Sequence, residues 1–203
     1  MTIASQIPMA DPVRKVQRIQ QITIIWMSIE AAVSLFAAWH ARSPALLAFG
    51  GDSAIELVSA TVVLWRFRAK SSHERIERHA ARIAGTLLFL LAAYVVAASA
   101  ICLLGFSQPR ATVIGIAILA AAAVIMPWLA KEKRRLSFVT GSAALRADAT
   151  ESTLCAYLSI IALVGLLVGS IWRIHWADPV AALAIVPFMV WEGREAMHGK
   201  PCC

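Results

Sequence analysis

Six apolar runs, separated by short polar connections, leave this chain few environments to fold in. A helix needs about 20 apolar residues to cross the ~30 Å hydrocarbon core of a bilayer. Residues 22–40, 45–67, 81–104, 111–129, 145–171 and 177–191 reach or approach that length, the last being the shortest. Composition agrees. The chain is 60% hydrophobic and 15% charged, whereas soluble domains average roughly 45–50% and 25%. The expectation is an all-α membrane protein with six transmembrane helices. A basic N-terminal arm covers residues 1–21, the transmembrane domain residues 22–192, and a short tail residues 193–203, with no room for a second soluble domain of ordinary size.

Basic residues orient the bundle. The net charge of +7 does not point to nucleic acid, because the lysines and arginines sit beside apolar spans, where they report topology. The arm carries Arg14, Lys15 and Arg18. The second connection carries Arg66, Arg68, Lys70, Arg75, Arg78 and Arg82, and the fourth carries Lys131, Lys133, Arg134 and Arg135. The first, third and fifth carry Arg42, Arg110 and Arg173 alone. This asymmetry predicts that both termini are cytoplasmic and that the host is the cell's inner (plasma) membrane. Trp172 and Trp176 flank the last outer connection, where an aromatic belt is expected. The arm is too polar for a signal peptide. Cys102 and Cys155 fall within spans and Cys202 and Cys203 close the chain, which is not a disulfide framework.

Carboxylates inside the spans carry the chemistry. Asp52 and Glu56 lie four residues apart in the second span, one turn above the other on one helix face. Glu30 lies in the first span, and Asp148 and Glu151 lie in the fifth. Counted along each helix at about 1.5 Å per residue, Glu56 and Glu151 both come near the bilayer midplane from opposite directions. Charges at that depth cost several kcal/mol and mark ion or proton paths. With Arg146 as the basic residue of the fifth span, near its inner end, the acids have no matching set of cations and are expected to protonate or bind metal. Zn²⁺ accepts carboxylate oxygen in a tetrahedral shell, and Mn²⁺ also suits carboxylate and water. Cys155, one turn beyond Glu151, tilts the set towards softer ions such as Zn²⁺ or Cd²⁺ if its sulfur takes part, and otherwise reads as a small core residue. Asp178, beside Pro179 at the start of the sixth span, reads as a helix cap or first-turn charge.

At these residues the sequence resembles the transmembrane part of the cation diffusion facilitator family. Ser43-Pro44-Ala45-Leu46-Leu47-Ala48 is similar to the family's lead-in to its second helix, Ala144-Leu145-Arg146-Ala147-Asp148-Ala149 to its approach to the second ligand pair, and Trp176-Ala177-Asp178-Pro179 to the start of its last helix. The resemblance implies a metal site with two ligands from the second helix, at Asp52 and Glu56, and two from the fifth. In one register those are Glu151 and Cys155, with Asp148 just before them. In the other they are Asp148 and Ser152. Glu30 matches an acidic residue in the family's first helix that supports the ligands or handles protons. The pairs depart from the family's usual His and Asp. Its cytoplasmic metal-binding domain and His-rich loop have no counterpart here, so the likeness is to short members made of the membrane domain.

The expected function is export of a divalent cation from the cytosol in exchange for protons. Zn²⁺ leads, and Mn²⁺, Cd²⁺, Co²⁺ and Fe²⁺ are alternatives. The metal is cargo, and no permanent cofactor is expected. A membrane metal-binding or regulatory protein without transport is the rival. An enzyme is not expected, since His40, His73, His79, His175 and His198 lie near span ends or in loops without catalytic spacing. Partners are the bilayer, the metal ion, protons and a second copy of the chain, for which Gly165-x-x-x-Gly169 offers either a dimer contact or packing within the bundle. Cys202-Cys203, with His198 nearby, reads either as a soft-metal capture site or as an incidental terminus.

Overall fold

A computed structural model describes residues 10–69 and 74–198. These residues form six α-helices: α1 (Ala10–Ala41), α2 (Pro44–Ala69), α3 (Glu74–Leu103), α4 (Val113–Thr140), α5 (Ala143–Trp172) and α6 (Ala177–His198). Five of them, α1 to α5, are long and apolar enough to cross a membrane. In α6, Asp178, Glu192, Arg194 and Glu195 dilute the apolar stretch. The Cys202-Cys203 pair and residues 70–73 of the second connection lie outside the described residues.

Local chemistry sets the helix ends. Ser43 precedes α2 and accepts a hydrogen bond from Leu46 N at 3.1 Å. Thr112 caps α4 by accepting from Gly115 N at 3.1 Å, and Ser142 caps α5 by accepting from Leu145 N at 3.3 Å. Each side-chain oxygen satisfies an amide that has no partner within its helix. Pro127 and Pro187 sit inside α4 and α6 without ending them, as helices packed in lipid permit.

The helices run beyond the apolar segments. The basic run Lys131–Arg135, expected in the fourth connection, is instead the later part of α4, which continues to Thr140. α4 meets α5 through Gly141 and Ser142 alone. At 28 residues, α4 is about 42 Å long. It is therefore longer than the hydrocarbon core is thick. α1 likewise starts at Ala10, well before residue 22.

α2 is the organising helix, packed against α1, α3, α5 and α6; the pairs α1–α2, α4–α5 and α3–α6 make the most extensive contacts. Phe49, Met27, Leu119, Met126, Leu158 and Met189 fill the interior. Large apolar side chains also cover the outside, among them Phe36, Leu90, Tyr94, Val124 and Val164. In water such an exterior would drive aggregation, whereas lipid solvates it. The chain is an integral membrane protein.

The α1–α2, α3–α4 and α5–α6 connections gather at one end. Arg110 N donates to Ala41 O at 2.8 Å, and the Ser43 hydroxyl donates to Asp178 Oδ1 at 2.6 Å. Asp178 thus lies in the first turn of α6, as its sequence position suggested, and also ties α6 to the start of α2.

The paired glycines of α5 face α6 within the chain. A methyl group at Gly165 would collide with the Ala181 side chain, whereas one at Gly169 would meet only ordinary contacts at 3.5 Å or more. Gly165→Ala should therefore destabilise the bundle by about 1–3 kcal/mol. Gly169→Ala should be neutral, or stabilising by up to about 1 kcal/mol through helix propensity. Thermal unfolding of both variants in detergent micelles measures this, and equal effects would contradict close α5–α6 packing at Gly165.

Candidate metal centre

The acidic pair of α2 points inward. Asp52 and Glu56 are each 5% exposed, stacked on the face that α2 turns towards α5. Cys155 of α5 is fully buried opposite them. Asp52, Glu56 and Cys155 each offer one ligand atom, and these atoms lie within 4.8 Å of one another. Two carboxylate oxygens and a sulfur at that separation can converge on one cation, three of the four ligands that a tetrahedral shell takes.

Glu30 of α1 borders this group. Its Oε1 accepts from the Ser53 hydroxyl at 2.7 Å and from the Cys155 thiol at 3.4 Å. Ser53 is the residue after Asp52, and its hydroxyl also lies 4.0 Å from Cys155 Sγ. Glu30 is therefore linked by hydrogen bonds to both helices that carry the group without being one of its three members.

The fifth-helix acids diverge. Glu151 is half-buried, and its Oε2 accepts from the Ser59 hydroxyl of α2 at 2.8 Å. Asp148 faces elsewhere. Its Oδ2 forms an ion pair with Lys133 Nζ of α4 at 2.9 Å and accepts from Gln20 Nε2 of α1 at 2.7 Å. Lys133 also donates to Ser152 Oγ at 2.7 Å, and Ser152 Oγ lies 2.9 Å from Glu56 Oε1 as its donor. The absence of a buried cation to match the acids, expected from the sequence, does not hold: Lys133 is fully buried among them.

Lys133 and Glu192 are the residues that sequence reasoning passed over. Lys133 was hidden in a basic run that reads as a connection. Its signal was helical phase, since Leu119, Ala122, Met126 and Leu129 recur at spacings of three and four and the next steps fall on Lys133 and Leu136. Glu192 lies on α6 just past the apolar run, half-buried and within electrostatic range of Asp52, Glu151 and Glu56. The same phase argument reaches it, since Ala182, Ile185 and Met189 recur at spacings of three and four and a next step of three falls on Glu192.

The arrangement therefore has a group of three potential ligands of mixed oxygen and sulfur character, a glutamate beside it, and a separate lysine-centred ion pair. A family model described as the cation efflux transmembrane domain matches residues 21–197 of the chain. No curated protein matches it. The chain belongs to the cation efflux family of divalent-cation transporters, whose transmembrane domain accounts for nearly all of its 203 residues.

Proposed function

We propose that this protein exports a divalent metal ion, Zn²⁺ in the first instance, from the cytosol by exchange with protons. The observation that carries the proposal is the convergence of Asp52, Glu56 and Cys155 across α2 and α5. In this reading the bundle crosses the membrane six times, with both termini in the cytoplasm. The excess of basic residues on the even-numbered connections and in the N-terminal arm supports that orientation, and the inner (plasma) membrane is the matching location.

Coupling follows from the ligands. Carboxylic acids and a thiol must lose protons before they bind a metal, so metal entry releases protons and proton entry expels metal. No separate coupling device is needed. Rocking of helices around a fixed site near the midplane would expose the group alternately to each side. Glu30 and Glu151, hydrogen-bonded to Ser53 and Ser59 of α2, are placed to receive the protons that leave.

Of the two ligand registers in the fifth helix, geometry favours the one that includes Cys155. Asp148 is held by Lys133 and Gln20, and Ser152 is held between Lys133 and Glu56. Sulfur among the ligands favours Zn²⁺ and Cd²⁺ over Mn²⁺, with Co²⁺ and Fe²⁺ between.

Three outcomes are expected. In proteoliposomes with an imposed pH gradient, Zn²⁺ flux should depend on the gradient and fall at least tenfold in Asp52→Ala plus Glu56→Ala; unchanged flux would sink the assignment. A stoichiometric Zn²⁺ site without flux in the wild type would instead indicate a binding protein that does not transport. Cys155→Ser should lower the affinity for Cd²⁺ relative to Mn²⁺ by at least tenfold, read by competition binding to the purified protein, and binding of both ions should weaken as pH falls because protons compete for the same atoms.

A further inference from the structure

Lys133 is a long cationic side chain with no solvent exposure, placed one hydrogen-bonded step from the proposed cation site. Its ammonium contacts Asp148 Oδ2 at 2.9 Å and Ser152 Oγ at 2.7 Å. Ser152 in turn donates to Glu56 Oε1 at 2.9 Å. Gln20 holds the same Asp148 oxygen from the other side at 2.7 Å, and the second oxygen, Oδ1, is buried with no hydrogen-bond partner among the described residues. The ammonium thus joins α4 to α5 directly, through Asp148 and Ser152, and these two in turn bind Gln20 of α1 and Glu56 of α2.

Three physical consequences follow. A fully buried lysine and aspartate are tolerable only as a pair, since each alone would be an uncompensated charge in low dielectric. The pair therefore removes Asp148 from the ligands open to a transported ion. The same ammonium also donates to the hydroxyl that holds Glu56, so it fixes one metal ligand through a single intermediary. Finally, a positive charge this near a dication site acts over a short path with little screening.

We propose that Lys133 is a tethered counter-cation: it holds Asp148 apart from the ion's ligands and, through Ser152 and its own charge, limits how tightly Asp52, Glu56 and Cys155 take a divalent cation. It is a positioning residue that does not touch the ion. A transporter must release what it binds, and a fixed positive charge beside the ligands weakens a site that three anionic groups would otherwise make too retentive. This inference rests on the reading of Asp52, Glu56 and Cys155 as the cation site.

The test is Cd²⁺ binding to the purified full-length protein in detergent, with Cys202→Ser and Cys203→Ser in every sample, the reference called wild type included, so that the tail thiols do not take the ion; binding is measured by equilibrium dialysis and by the absorption of the cadmium–thiolate bond. Lys133→Met should bind Cd²⁺ at least tenfold more tightly than wild type, a direction that loss of a merely structural contact would not produce. Asp148→Asn should bind at least tenfold more weakly, because the ammonium loses its partner and bears on Glu56. Lys133→Met combined with Asp148→Asn, which removes the pair together, should return to within about threefold of wild type. If Lys133→Met fails to fold, the double variant decides the matter, because a neutral pair can replace a buried ion pair with little loss of stability. A double variant as weak as Asp148→Asn would make Asp148 a metal ligand and overturn the proposal, as would a folded Lys133→Met with unchanged or weaker affinity. Absence of a Cd²⁺–thiolate signal in wild type, unaltered by Asp52→Ala plus Glu56→Ala, would instead remove the cation site itself, and the role of Lys133 with it.

Discussion

A carboxylate inside a bilayer must have its charge answered, and this requirement organises the bundle. Water cannot reach the interior freely, so each acid is met by a proton, a hydroxyl, an ammonium or a metal ion. The protein uses several of these answers within a few ångströms. Ser53 and Ser59 each donate to a glutamate, Lys133 neutralises Asp148, and Asp52 and Glu56 remain as a pair beside a thiol. Lys133 answers one acid with a fixed charge, hydroxyls answer others, and Asp52 and Glu56 are the two acids grouped with a sulfur, which is why the proposed cation is assigned to them.

α2 can meet this requirement because it is in the middle. It packs against α1, α3, α5 and α6, so its serines and carboxylates find partners on several helices at once. Serine is well suited to the task. It is small, it occupies Ser53, Ser59 and Ser152 without disturbing helix packing, and its hydroxyl both donates and accepts. Its role here differs from that of the serines and threonines that bond only to their own helix, such as Ser28 to Ile24 O and Thr61 to Leu57 O.

Much of this was legible in the sequence. Apolar run length located the cores of the helices because lipid allows few alternatives, and the i, i+4 spacing of Asp52 and Glu56 was enough to put them on one helix face. The helix ends were less legible, because apolar length says nothing about polar turns that continue a helix past its apolar run. That gap concealed Lys133. Composition put it with Lys131, Arg134 and Arg135, all cations in one short run, yet the phase of the interior residues turns Lys133 inward while those three are exposed. Which of Asp148, Glu151 and Cys155 would face Asp52 was also beyond the sequence. All three lie on nearby turns of α5, and the choice depends on the rotation of α5 against α2 and on the lysine supplied by a third helix.

The hydrogen bond from Ser43 to Asp178 joins the start of α2 to the start of α6, and at the same end Arg110 N is bound to the last residue of α1. Bodies fastened at one edge swing about that edge, as pages do about a spine. Any tilt between α2 and its neighbours then has its smallest travel near these fastenings and its largest at the opposite face, where α4 carries its basic turns. In the proposed transport cycle, the two openings would then be unequal, the one at the fastened end a narrow slit and the other a wide wedge.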